Sequence, residues 1–336
     1  MALLEVENLR VRFRVKGAVK SLVERDPDPF IDAVLNVSFT LEGGRTFGLV
    51  GESGCGKTTL ARAIVGLLQA QRGTVRFSGQ ELLGLTDRQA RPLRRQIAMM
   101  FQDPVGSLSP RLTVRSIITE PFKVHEPGRQ DLEDDLQRLL SMVGLSPEFA
   151  ARYPHQLSGG QARRVGVARA LALNPKLIIA DEPTAGLDVS VQGDILSLLA
   201  RLQDDLGMAM LIISHNLHVV RHVTDRIGIM YLGRFVEQGR TEEVFAHPRH
   251  PYTHALLSAN PKPDPDAVRD QVELLGEVPS LLARPAGCEF HTRCPFVSAT
   301  CRTVAPNTIR LEGAHLFSCH HPRVASPDRA VLTGRG

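Results

Sequence analysis

The run Gly51-Glu52-Ser53-Gly54-Cys55-Gly56-Lys57-Thr58 has the spacing G-x-x-x-x-G-K-T, and its residue types suit the task of holding a chain of phosphates. Glycines let successive backbone N–H groups turn inward around an anion, and a helix N-terminus behind them adds positive potential. Lys57 is placed to neutralise the β- and γ-phosphates of a nucleoside triphosphate, and the Thr58 hydroxyl to ligate Mg²⁺. Cys55 lies inside the cradle, where backbone groups do the binding and a small residue is tolerated. Further along, Leu177-Ile178-Ile179-Ala180 ends in Asp181 and Glu182. Strand-end carboxylates lie where ligands collect in open α/β sheets. Asp181 suits Mg²⁺, directly or through water, and Glu182 suits the role of general base toward an attacking water. His215 follows Met210–Ser214 and could hold a γ-phosphate and orient that water. Gln102 follows Ile97–Phe101 and could offer its amide oxygen to Mg²⁺ and water. Taken singly, an acid-tipped strand is as well explained by a salt bridge, and a strand-end histidine by an ordinary surface hydrogen bond. The phosphate cradle upstream gives them a common purpose.

These groups need elements to carry them. Short apolar runs at Leu4–Glu7, Thr46–Val50, Ile97–Phe101, Leu177–Ala180, Met210–Ser214 and Ile227–Tyr231 read as strands, and Val37–Leu41 alternates as an antiparallel strand does. Helical spacing marks Leu60–Leu68 and Gly193–Leu206, with an acidic amphipathic helix over Asp131–Val143. Strands alternating with helices predict an α/β fold with a largely parallel sheet. The composition changes after about Asn260. Pro261–Pro265 reads as a linker, and the tail beyond it is rich in Pro and Arg and holds four of the five cysteines. There is no internal repeat.

At 336 residues, 43% apolar and 23% charged, the chain is large enough for one sizeable domain and an appendage. A net charge of +4 suits an acidic partner without selecting one. The apolar runs are far shorter than the roughly 18–20 residues of a membrane span. Glu5, Glu7 and Arg10 argue against a signal sequence, so a cytosolic location with few disulfides is expected.

Leu157-Ser158-Gly159-Gly160-Gln161, lying between the phosphate loop and the acidic strand, resembles the signature motif of ABC-transporter ATPases, and Arg163–Leu171 resembles the signature helix. The resemblance implies a P-loop NTPase (RecA-like) core, with an antiparallel β subdomain and a helical signature subdomain at about 103–168. It implies that ATP and Mg²⁺ are bound by Gly51, Ser53, Gly54, Cys55, Gly56, Lys57, Thr58 and Thr59, with Asp181 and Gln102 beside the metal. Gln102 matches the Q-loop, Ala185-Gly186-Leu187-Asp188 the D-loop with Asp188 at the subunit interface, and His215 the switch histidine. Phe13 stands where an aromatic ring stacks on adenine; a core position is the rival explanation. Ser158, Gly159, Gly160 and Gln161 would then bind the γ-phosphate of ATP held by an opposing subunit.

Phe101-Gln102-Asp103-Pro104, Ser107-Leu108-Ser109-Pro110-Arg111, Tyr153-Pro154-His155-Gln156, Asp188-Val189-Ser190-Val191-Gln192 and His250-Pro251-Tyr252-Thr253 narrow the resemblance to the dipeptide/oligopeptide permease ATPases. It covers the chain from about Leu3 to His320. It implies a cassette at 1–260 and a C-terminal extension at 261–336. It also implies a second ATPase subunit (commonly a paralogue), two transmembrane permease subunits, an extracytoplasmic peptide-binding protein, and a peripheral place on the cytoplasmic face of the inner membrane. No nucleic-acid partner is implied. Ser109 in place of Asn, Ala185-Gly186 in place of Ser-Ala, and Ala162-Arg163 in place of Arg-Gln depart from the pattern without removing a catalytic group. Rival functions are import of another solute, such as nickel or antimicrobial peptides, a soluble ABC ATPase acting on ribosomes or DNA, and a scaffold that binds ATP without hydrolysis. A single cassette without heptads counts against the soluble class, and Glu182 with His215 against the scaffold.

The tail pattern Cys288-x5-Cys294-x6-Cys301-x17-Cys319 offers four thiols that suit an iron–sulfur cluster, tetrahedral zinc, or no metal. His291, His315, His320 and His321 lie nearby. The absence of C-x-x-C argues against a zinc ribbon, and the permease resemblance implies a four-iron four-sulfur cluster.

Overall fold

The computed structural model describes residues 2–14, 30–103, 106–259, 274 and 276–323. Pro104 and the expected linker Pro261–Pro265 lie outside these residues. The strands are β1 (Ala2–Arg14), β2 (Phe30–Glu42), β3 (Thr46–Val50), β4 (Arg72–Phe77), β5 (Gln80–Glu81), β6 (Ile97–Met100), β7 (Leu177–Asp181), β8 (Ala209–Ser214), β9 (Arg226–Tyr231), β10 (Arg234–Arg240), β11 (Thr308–Arg310) and β12 (Leu316–Ser318). Among the described residues they form an antiparallel sheet of order β2-β1-β4-β5 and a larger sheet of order β11-β12-β10-β9-β3-β8-β7-β6.

The middle of the large sheet, β9-β3-β8-β7-β6, is parallel. Its strands β3, β7 and β8 are buried along their whole length, which is why they read as unbroken apolar runs rather than alternating ones. Successive side chains still leave on opposite faces. Leu177, Ile179, Leu211 and Ile213 join a core that holds Leu4, Val6, Val37 and Phe39 of the antiparallel sheet and Leu60 and Ile64 of the helix Lys57–Ile64. Ile178, Ala180, Met210 and Ile212 face the other way, into a core built with the helices Val114–His125, Glu133–Met142, Gly159–Leu171 and Val189–Leu206. One acid-tipped strand therefore sits between the element that carries the phosphate loop and the lobe that carries the signature residues.

The expected strands all occur; those of the parallel sheet agree within one residue at their ends, whereas Leu4–Glu7 and Val37–Leu41 are parts of the longer strands Ala2–Arg14 and Phe30–Glu42. The helix Val114–His125 lies in the stretch expected as a helical subdomain and forms although Pro121 lies inside it. Thr113 caps it by accepting from Ser116 N at 3.3 Å, and Val114, Ile117, Ile118 and Phe122 are buried on one side. Packing outweighs the lost donor. The tail does not stand apart from the rest. Strand β12 pairs with β10, Glu237 against Phe317 and Gln238 against Leu316, and Phe290, Cys288 and Cys294 pack with Val50, Tyr231 and Tyr252. No helix among the described residues is long and apolar enough to cross a membrane.

Candidate active site

Strand β3 delivers the chain into the loop 51–56, and the helix Lys57–Ile64 leaves it. Two glycines are required there by space. A Cβ on Gly51 would lie 2.2 Å from Met230 O, and one on Gly56, whose φ is +106°, would lie 2.2 Å from Ala33 O. Lys57 is buried, and its Nζ donates to Gly51 O at 2.8 Å and Glu52 O at 2.9 Å. Ser53 and Gly54 are exposed at the loop tip, while Thr58 and Thr59 are half-buried on the first helical turn. Cys55 is buried, and burial pushes its thiol pKa up. It is a packing residue with its proton on, in line with a tolerated small side chain.

Thr58 Oγ1 donates to Asp181 Oδ1 at 3.2 Å. Asp181 is buried at the tip of β7, and this desolvation raises its pKa, with Thr58 acting in the opposite direction. A buried carboxylate raised by desolvation and next to a hydroxyl is a donor set that fits a hard dication such as Mg²⁺.

The next residue changes direction. Glu182 has φ +47°, which turns its carboxylate toward two groups from distant parts of the chain. Gln102 Nε2 donates to Glu182 Oε2 at 3.0 Å, and His215 Nδ1 lies 3.3 Å from Glu182 Oε1. The three residues read from separate strand ends thus meet on one carboxylate, adjacent in sequence to the Thr58–Asp181 pair. An acid held between an amide and an imidazole can accept a proton from water and hold that water in line.

The turn that aims Glu182 is held by Arg163, a residue noted from the sequence only as a departure. It is buried, and its guanidinium donates to the carbonyls of Glu182 (3.2 Å), Pro183 and Ala185 (2.8 Å). Burial pulls its pKa down. An arginine in a helix ordinarily reads as solvated, so no local signal marks it.

Ser158 caps the helix Gly159–Leu171, accepting from Gln161 N at 3.3 Å while Gln161 Oε1 accepts from Ser158 N at 2.9 Å. This reciprocal cap leaves Ser158 and Gly159 exposed. A Cβ on Gly160 would come within 3.1 Å of Val191 Cγ1, so the signature helix packs closely on the segment after Asp188. Asp188 is the N-cap position of the helix Val189–Leu206 and is exposed. Phe13, on β1, is 37% exposed, so the core alternative does not hold. Near it, Arg10 and Arg12 both bind Asp32 (2.7 and 2.8 Å). Burial would raise the Asp32 carboxyl, but the two guanidinium hydrogen bonds outweigh it and hold the pKa at about 2.

The tail thiols share one neighbourhood. Cys288 N donates to Cys301 O at 2.8 Å. Burial pushes Cys288 up to about 11 and Cys319 up to about 12, with the other tail cysteines adding to the rise. Among the described residues, however, no three His, Cys, Asp or Glu side chains are grouped to hold a metal ion. The four-iron four-sulfur cluster implied by resemblance finds no support in this arrangement.

Residues 34–185 match the ABC transporter family, and residues 236–301 match the oligopeptide/dipeptide transporter C-terminal region. The oligopeptide transport ATP-binding protein OppF of Salmonella typhimurium is 46% identical over 323 residues, spanning 94% of this chain and 95% of its own. The probable peptide ABC transporter ATP-binding protein y4tS of Sinorhizobium fredii is 48% identical over 324 residues, spanning 95% of this chain and 90% of its own. Among solved structures, the dimeric post-hydrolysis state of the ATP-binding cassette MJ0796 bound to ADP and Pi is 28% identical with a TM-score of 0.62, covering 71% of this chain and 98% of that one. CbiO1 from Clostridium perfringens, part of the ABC transporter complex cbiONQ, gives 27% and 0.60, covering 73% of this chain and 91% of that one. With its cradle, acid-tipped strand and capped signature helix, the chain belongs to the ABC transporter family, among the ATP-binding proteins of the dipeptide/oligopeptide permease group.

Proposed function

We propose that this chain is the ATP-hydrolysing subunit of an importer for dipeptides or oligopeptides, working at the cytoplasmic face of the membrane. The convergence of Gln102 and His215 on Glu182, one residue from the Thr58–Asp181 pair, is the observation that carries the reading. The loop Gly51–Gly56 with Lys57, Thr58 and Thr59 holds the triphosphate, and Phe13 takes the adenine. Mg²⁺ held by Thr58 and Asp181, with Gln102 near, supplies charge neutralisation on the phosphate oxygens. Glu182 takes the proton of the attacking water, and His215 and Gln102 orient it.

The signature residues Ser158, Gly159, Gly160 and Gln161 are exposed or half-buried at a helix start, a disposition that suits phosphate from an opposing subunit. Asp188 lies beside them at the same surface. A second ATPase subunit, identical or paralogous, completes each site in this proposal. A groove of about 710 Å³ next to Gln102, lined by Met99, Phe101, Glu120, Val124 and Arg169 among others, supports the lobe near 103–168 as the receiver of helices from two permease subunits. The peptide cargo is delivered by an extracytoplasmic binding protein, and similarity to oligopeptide and peptide transport ATP-binding proteins supports that choice of cargo. The tail 261–336 enters as an extension of the cassette 1–260, a reading supported by the pairing of β12 with β10 and the packing of Phe290 on Tyr231 and Tyr252. Stoichiometric iron and acid-labile sulfide in anaerobically purified protein would reinstate a cluster there.

Glu182→Gln tests the core of the proposal. Removing a general base lowers turnover by about 10²–10⁴-fold, so phosphate release is expected to collapse while ATP binding persists and the ATP-bound form dimerises. Unchanged turnover refutes the assignment of the base.

A further inference from the structure

The phosphate loop is held from outside by the C-terminal segment. Glu52, the second residue of the loop, has its carboxylate gripped by both terminal nitrogens of Arg293, at 2.7 and 3.1 Å. The Glu52 N–H donates to Tyr252 Oη at 3.0 Å. Its carbonyl accepts from Lys57 Nζ at 2.9 Å. Every polar handle of one loop residue is therefore occupied, two of them by groups that lie more than 190 positions away in sequence.

The support beneath these contacts is rigid. The rings of Tyr231, Tyr252 and Phe290 pack on one another at 4.8–5.4 Å between centroids, just below the end of β3. The Arg293 side chain is 6% exposed, and its turn is fixed by Arg293 N donating to Phe290 O at 3.0 Å. A second tail arginine, Arg284, donates to Leu232 O and Asp32 O at 2.7 Å each, which ties the strand beside Phe13 to the same segment.

Glu52 places a negative charge in a loop whose task is to receive a polyphosphate. Left alone, it would repel the ligand and draw the loop amides toward itself. A bidentate guanidinium cancels that charge and fixes the carboxylate in place. We propose that Arg293 is a positioning residue for nucleotide binding, so that the C-terminal segment completes the phosphate site of its own chain. The inference rests on the ATP-binding reading above.

The test uses the full-length chain and a fluorescent ATP analogue with Mg²⁺, titrated to equilibrium, together with KM and kcat for ATP. In Arg293→Gln, Kd and KM are expected to rise about tenfold, the effect of one uncompensated charge a few ångströms from the phosphates, with kcat at saturation within about threefold. Adding Glu52→Gln to Arg293→Gln removes the stranded charge and is expected to restore Kd to within about threefold of wild type. Arg293→Lys keeps the charge and should fall between wild type and Arg293→Gln. A purely architectural role predicts instead a lowered melting temperature and no rescue by Glu52→Gln. An unaltered Kd in a folded Arg293→Gln protein, or a failure of that rescue, overturns the proposal. If Arg293→Gln does not fold, Arg293→Lys is read in its place: a Kd raised less than about tenfold with kcat at saturation held supports the proposal, and an unaltered Kd overturns it. Failure of the wild-type chain to bind the analogue would instead overturn the ATP-binding reading.

Discussion

Arg163→Met isolates the device that aims Glu182. Methionine matches much of the arginine's length and keeps its packing in the helix Gly159–Leu171, but it removes the donors to the carbonyls of Glu182, Pro183 and Ala185. Hydrogen bonds from a charged donor contribute about 1.5–3 kcal/mol each before compensation. The guanidinium is itself buried and its pKa is pulled down by that burial, so part of this is offset by the cost of desolvating it. A net loss of about 2–4 kcal/mol is expected, measured by chemical denaturation. The functional consequence is larger than the loss of stability. Glu182 holds φ +47°, which for a non-glycine residue costs about 1–2 kcal/mol, and the Arg163 contacts together with Glu182 N donating to Ile213 O at 2.9 Å hold it there. Released, the turn relaxes toward an ordinary conformation and the carboxylate leaves Gln102 and His215. Turnover is then expected to fall by about 10–100-fold, a fraction of what loss of the base itself costs, while ATP affinity stays near wild type because Lys57 and its loop are untouched. Phosphate release at saturating ATP, read beside an equilibrium binding titration, separates the two effects. A folded variant with turnover within twofold of wild type would refute the reasoning.

Two further outcomes follow from groups away from Asp181 and Glu182. Glu237 is fully buried and accepts from Arg249 N, His250 N and His315 Nε2 at 2.7–2.8 Å; Glu237→Gln breaks this set and should destabilise the chain by about 3–5 kcal/mol, with protease cutting first near β12, and a change below about 1 kcal/mol would contradict it. Asp32, held at about 2 by Arg10 and Arg12 against an ordinary value of 3.8, has a depressed folded pKa, so its contribution is full above 3.8 and is lost as pH falls toward 2. Wild type should lose about 1–2 kcal/mol over that window after solvent screening, and Asp32→Asn should be flatter there; parallel pH profiles would refute the linkage.

The phosphate loop, the acid tip of β7 and the cap at Ser158 are legible in the sequence because each is a local requirement. Glycine is needed where φ is positive or a backbone passes within 2.2 Å, a buried parallel strand must be apolar throughout, and a cap is satisfied three residues on. The same local rules fail at Val114–His125, where Pro121 argues against a helix and tertiary packing prevails. At the tail a change of composition marks an extension, and only the fold shows that its strand β12 joins the main sheet.

What only the tertiary structure decides is which distant groups share a charge. Gln102 and His215 reach Glu182 across 80 and 33 positions, Arg163 turns inward to grip the bend that aims it, and Arg293 crosses 241 positions to neutralise Glu52. Side-chain pairing at such separations depends on the path of the intervening chain, and an arginine carries the same letter whether it faces water or a buried carbonyl. Residue type and short spacing suffice to say which chemistry this protein carries. The folded chain decided how those groups are aimed and which are held neutral, because orientation and desolvation exist only once the sheets and helices have closed around them.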